Sequence, residues 1–260
     1  MSKGKYRIFS SGGIDEKLYV NINGHNQYVF IRGKDINNPI ILNLHGGPAN
    51  PDAFLTYEFA QAITYEFTYV SWDQRGCGRT YYKNKHIDPK NESTDFGQAI
   101  KDVDELAMAY KSLQERFSLE NLIKFQRLTL PCFVGNMPDL KQTNQIKLIL
   151  SSPDLAFDDI RWLVGMLNLK AHYVRNKKLL DYTLSANIYD IGNEYSVPMY
   201  FVSGEYDKTC RVDLLKKYYD SVTAPNKKLV IMKACGHSPQ IDDPVMLAKE
   251  LKNYFKIRLI

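Results

Sequence analysis

The sequence predicts an α/β fold, a mostly parallel sheet with an inserted helical segment, and three observations predict it. Short continuous apolar runs alternate with stretches of helical periodicity toward both ends of the chain. Several of those runs stop at glycine-containing loops, as strands buried on both faces do. Between about residues 118 and 195 the alternation gives way to helical periodicity alone.

In chain order, Lys17 to Asn23 and His25 to Gly33 are two β-runs joined at Asn23-Gly24, a dipeptide suited to a tight hairpin turn. Pro39 to Leu44 is a short apolar run ending in His45-Gly46-Gly47-Pro48. A helix is expected near Asp52 to Ile63, then a second buried strand, Phe67 to Trp72, ending at Asp73-Gln74-Arg75-Gly76. Asp95 to Phe117 has Val103, Leu106, Tyr110, Leu113 and Phe117 at three- and four-residue spacings, which predicts one long helix. The next segment is expected to hold helices without strands, with the best periodicity in Asn144 to Leu150, Ile160 to Leu169 and Lys178 to Leu184. Strand and helix then alternate again: Val197 to Val202, Arg211 to Ser221, Lys228 to Met232 and Pro244 to Ile257. The expected organisation is therefore 1–117 and 196–260 as the two parts of one core, with 118–195 as a helical lid.

The 260 residues, 44% hydrophobic, suffice for one sizeable core. A net charge of +5 comes from 34 basic and 29 acidic residues spread along the chain, so a nucleic-acid binder's basic stripe is absent. No run approaches the ~20 apolar residues of a membrane span, and Met1 to Ser10 lacks a secretory signal's apolar stretch. The expectation is a cytoplasmic protein with neither nucleic-acid nor membrane partners. Cys77, Cys132, Cys210 and Cys235 have no CxxC spacing, and the five histidines form no paired-ligand motif, so no metal site is expected. No Walker or dinucleotide sequence occurs.

Three motifs carry chemistry. His45-Gly46-Gly47-Pro48 and Asp73-Gln74-Arg75-Gly76-Cys77-Gly78-Arg79 follow successive strands. Ser203-Gly204-Glu205-Tyr206-Asp207 is followed thirty positions later by His237, preceded by Gly236, with one helix and one strand between. An acid past one late strand and a histidine past the next is the arrangement of a hydrolase triad. Together the motifs resemble the HGGP loop, the DQRGxGRS signature and the acid–histidine pair of the proline-iminopeptidase-like serine hydrolases of the α/β-hydrolase superfamily.

That resemblance implies removal of an N-terminal residue, typically proline, from small peptides or related esters, through an acyl-enzyme and without a cofactor. It implies that Asp207 orients His237 and that His237 is the general base. Gly46 and Gly47 would line an oxyanion hole, because glycine lets backbone N–H groups approach a developing negative charge. Lid acids such as Asp154, Asp158, Asp159 or Glu194 are candidates for binding a substrate ammonium.

The nucleophile is missing. A nucleophile elbow needs small residues two before and two after the reactive side chain, giving G-x-S-x-G. No two of the 15 glycines are four apart. Ser112, Ser118, Ser151, Ser152, Ser203 and Ser238 lack elbow context, and Cys77 and Cys235 are the cysteines nearest the motifs. The family's strand, elbow, helix and strand are expected to be absent, with two family helices spliced near Leu106 to Lys111. With those strands gone, Ile40 to Leu44 is expected to pair directly with Met199 to Val202. The alternative to an active hydrolase is a non-catalytic pseudo-hydrolase or deletion product that at most binds small peptides or esters.

Overall fold

The computed structural model describes residues 11–46, 49–113, 123–126 and 144–256. It divides into two compact units, the first built from 1–128 with 146–185 and the second from 129–145 with 186–260.

In the first unit β1 (Ile14–Ile22) and β2 (His25–Gly33) form the antiparallel hairpin. Asn23 and Gly24, at φ 47° and 78°, take the left-handed backbone that a two-residue turn demands. β3 (Ile40–Leu44), α1 (Tyr57–Ile63) and β4 (Thr68–Asp73) follow, then α2 (Gly78–Asn84) and α3 (Phe96–Leu113). β4 lies between β2 and β3, antiparallel to the first and parallel to the second. Val29, Ile31, Ile40, Leu42, Val70 and Trp72 from one face of this sheet enclose a core with Ile22 and with Leu106 of α3, against which Val103 also packs. The three- and four-residue apolar spacing of α3 thus does what the periodicity predicts: it buries one helix face on the sheet.

Two expectations are corrected here. The segment 118–195 holds a strand, β5 (Ile123–Gln126), parallel to β3 with Ile41 opposite Ile123 and Leu44 opposite Gln126. Its four residues alternate apolar and polar over too short a stretch to stand out in the sequence; the open edge of β3 supplies the ladder. For the same reason Ile40–Leu44 does not pair with Met199–Val202. The sheet order is β1-β2-β4-β3-β5, so both edges of β3 are occupied.

The remaining helices of the first unit are α4 (Gln145–Ser151), α5 (Phe157–Leu167), α6 (Leu169–Arg175) and α7 (Lys177–Ser185). Buried ion pairs fasten two of this segment's acids. Asp154 meets Arg32 of β2 through two 3.2 Å contacts and Lys17 at 2.7 Å, and Asp159 binds the Arg79 guanidinium. Trp162 of α5 packs with Ala49, Cys77 and Tyr81, its indole N–H donating to the Ala49 carbonyl at 3.1 Å.

The second unit contains α8 (Ile188–Ile191), β6 (Met199–Gly204), α9 (Val212–Ser221), β7 (Lys227–Met232), α10 (Pro239–Asp242) and α11 (Pro244–Lys256). β6 and β7 are parallel, in register from Met199 opposite Lys227 to Gly204 opposite Met232. No described helix is long and apolar enough to cross a membrane.

Candidate active site

The ends of β6 and β7 are where the second unit brings chemistry together. Gly204, the last residue of β6, is pressed against the chain leaving β7: a Cβ there would lie 2.0 Å from the Gly236 carbonyl oxygen and 2.3 Å from that of Cys235. Only glycine allows this backbone-on-backbone crossing. Glu205 N–H donates to the Met232 carbonyl and Tyr206 N–H to that of Cys235, each at 2.9 Å. From the other loop, Ala234 N–H donates to the Glu205 carboxylate at 3.2 Å and Gly236 N–H to Asp242 at 2.8 Å.

These bonds hold Asp207 and His237 face to face. Nδ1 of His237 is 2.9 Å from both carboxylate oxygens of Asp207. Oδ1 of Asp207 also accepts the backbone N–H groups of Thr209, at 2.9 Å, and Cys210, at 2.8 Å. The side chains are 5% and 8% exposed, so water competes little for the bond. An ionised carboxylate only accepts, which places the ring proton on Nδ1 and leaves Nε2 with the lone pair a general base uses.

The first unit builds the other two motifs into one body. His45 Nδ1 lies 3.0 Å from the Gly46 carbonyl, while Nε2 accepts the backbone N–H of Gln74 at 3.1 Å. The Gln74 side chain donates back to the His45 carbonyl at 3.0 Å. Cys77 Sγ is 3.1 Å from the same Nε2, so the thiol donates and keeps its proton. Burial holds His45 below the ordinary histidine value, and burial pushes the Cys77 thiol well up. Cys77 is therefore a packed, protonated thiol rather than a substitute nucleophile. Gly46 is buried just past the end of β3, and Gly47 lies outside the described residues.

Most of the Asp73–Arg79 signature is structural. Arg75 donates to Asp102 at 2.7 and 3.0 Å and to the carbonyls of Ile22 and Asn23 at 3.2 and 3.1 Å, so it ties the hairpin turn to α3. Asp102 is held below the ordinary carboxylate value; burial opposes this, and the hydrogen bonds from Arg75, Gln98, Asn23 and Gln27 outweigh it. Gly76 and Gly78 have φ of 75° and 51°, and a Cβ on Gly78 would sit 2.5 Å from Oδ2 of Asp73. Asp73 accepts the Arg79 N–H at 3.0 Å, yet burial pushes it up to about 7.

The other sequence-derived candidates separate cleanly. Asp154 and Asp159 are consumed by their buried arginine partners, and Asp158 pairs with Arg161 on the surface at 2.9 Å. Glu194 takes part in an isolated bridge with Thr223. Ser152 Oγ accepts the Asp154 N–H, Ser203 is buried with its hydroxyl on the Gly204 carbonyl, and Cys235 is buried. The side chain of Ser112 and all of Ser118 lie outside the described residues. Sequence reasoning passed over Cys210, whose Sγ lies within 4.8 Å of donor atoms of Asp207 and His237. Its signal was the spacing of three residues from the triad acid.

No protein-family model matches the chain. Over 308 residues, 92% of this chain and 96% of its relative, it is 23% identical to the Probable aminopeptidase YbaC of Bacillus subtilis (strain 168). Among solved structures it resembles a bacterial membrane phospholipase A at TM-score 0.61 and 18% identity, covering 94% of this chain and 86% of that one. It likewise resembles a proline iminopeptidase-related protein from Thermus thermophilus at TM-score 0.59 and 18% identity, covering 94% and 98%. The chain has the α/β-hydrolase fold.

Proposed function

We propose that this chain derives from a peptidase of the proline iminopeptidase type and keeps that enzyme's acid–base pair without its nucleophile. The observation that carries the reading is the Asp207–His237 bond, 2.9 Å long, at the ends of successive parallel strands. The HGGP and DQRG motifs, bonded to each other through His45 and Gln74, support it. So does the aminopeptidase named among its relatives.

The loss of the nucleophile is argued from sequence. The resemblance places two further strands between β3 and the strand bearing the triad acid, with the elbow after the first of them. β5 stands beside β3, where that first strand belongs. The residues after it read Arg127-Leu128-Thr129-Leu130-Pro131, a hydroxyl flanked by arginine and proline where the elbow needs small residues. The alignment with the B. subtilis relative is longer than the chain itself, 308 residues against 260, which supports an internal loss.

The chain therefore does not hydrolyse N-terminal proline substrates, although its remaining motifs can still bind small peptides or esters. Losing a triad serine costs about 10⁴-fold or more in kcat. Steady-state assays of the purified chain beside His237→Ala test this. Equal rates are expected; turnover that falls on removal of His237 overturns the reading.

A further inference from the structure

We infer that Asp207, Cys210 and His237 form a binding site for one zinc ion. A carboxylate oxygen, the Cys210 sulfur and a ring nitrogen of His237 all lie within 4.8 Å of one another. Zinc bonds to oxygen, nitrogen and sulfur are about 2.0 to 2.3 Å, so a tetrahedral ion needs donors roughly 3.3 to 3.7 Å apart. The required contraction is about an ångström, and it falls on the exposed member. Cys210 lies on the surface just before α9, whereas Asp207 and His237 are clamped by the crossed loops.

The donor set selects the metal. A thiolate with an imidazole and one carboxylate suits zinc, while magnesium and calcium prefer oxygen alone. The supporting shell is in place: Oδ1 of Asp207 is oriented by the N–H groups of Thr209 and Cys210, which leaves Oδ2 to face the ion. On binding, the Cys210 thiol releases its proton to solvent, and the His237 proton moves from Nδ1 to Nε2 so that Nδ1 donates its lone pair. Three protein ligands leave a fourth position for water. An ion there breaks the Asp207–His237 bond, so zinc and general-base use of His237 exclude each other.

This inference does not rest on the hydrolytic reading, and its test reads metal rather than turnover. Titration of the full chain with zinc against a chromophoric chelator is expected to give one saturable site per chain. With cobalt in its place, a thiolate-to-cobalt charge-transfer band is expected. Cys210→Ser should abolish that band and weaken zinc binding by at least about tenfold. In the unaltered chain, zinc should slow alkylation of Cys210 by iodoacetamide, followed by peptide mass spectrometry; this arm needs no variant to fold. Absence of a saturable site, a band that survives Cys210→Ser, or alkylation of Cys210 indifferent to zinc would each overturn the proposal.

Discussion

At Gly204 one hydrogen atom in place of a methyl decides whether the two loops can cross. Because the obstructing atoms are backbone carbonyls of Cys235 and Gly236, no side chain can rotate out of the way. Gly204→Ala is expected to cost about 3 kcal/mol or more in urea unfolding and to abolish the downfield Nδ1 proton resonance of His237. Asp73 gives a second test, through pH. Its native value of about 7 lies above the unfolded one, so between roughly pH 4 and 7 the native state binds the extra proton. Its contribution to stability is complete below about pH 4 and is lost as pH rises through 7. Asp73→Asn keeps an acceptor for the Arg79 N–H but cannot ionise. The stability difference in favour of Asp73→Asn should therefore grow from pH 5 to pH 8 in denaturant titrations; a constant difference would show that Asp73 is ionised throughout. The pairing of Asp207 with His237 was legible in the sequence because an acid and a histidine past successive strands have few other ways to lie. The donors that lock Asp207, and the roles of Asp154 and Asp159, were not. Which arginine reaches which carboxylate depends on packing across 80 to 122 residues of sequence.

Among elements, the hairpin and α3 are joined by a single buried hub. Asp102 accepts from Arg75, Gln98, Asn23 and Gln27, and its carboxylate is held low, so its contribution is complete above the unfolded value and fades as pH falls through the native one. Arg75→Met leaves that carboxylate buried without its cation. A loss of about 3 to 5 kcal/mol is expected from urea unfolding, against less than about 1 kcal/mol for Arg211→Met, whose pair with Asp213 is exposed. Comparable small losses would mean the hub is hydrated. The long elements were readable because their period persists: β2, β3, α9 and β7 fall within two residues of the expected ends. β5 was not readable, since four alternating residues define a strand only when a neighbouring edge is waiting. α2 was missed because its start, Gly78-Arg79-Thr80, carries glycine at the first helical position, and it is the Asp73 carboxylate accepting from Arg79 that starts the turn.

In the whole molecule, the described strands divide into a five-stranded sheet ending at β5 and a parallel pair, β6 and β7. The expected closure between β3 and β6 failed for a countable reason: a strand has two edges, and β4 and β5 fill those of β3. The fold class was legible because alternation of strand and helix is written twice, once on each side of the helical segment. Substrate was not, since proteins of this fold include a phospholipase and an iminopeptidase-related protein. The central claim is an acid–base pair with no nucleophile to serve. The measurement that tests it most directly is covalent labelling of the purified chain by a fluorophosphonate, read by intact mass and peptide mapping, beside a His237→Ala control. No adduct on any serine or threonine is expected in either protein. A stoichiometric adduct on one hydroxyl, lost when His237 is replaced, would contradict the claim.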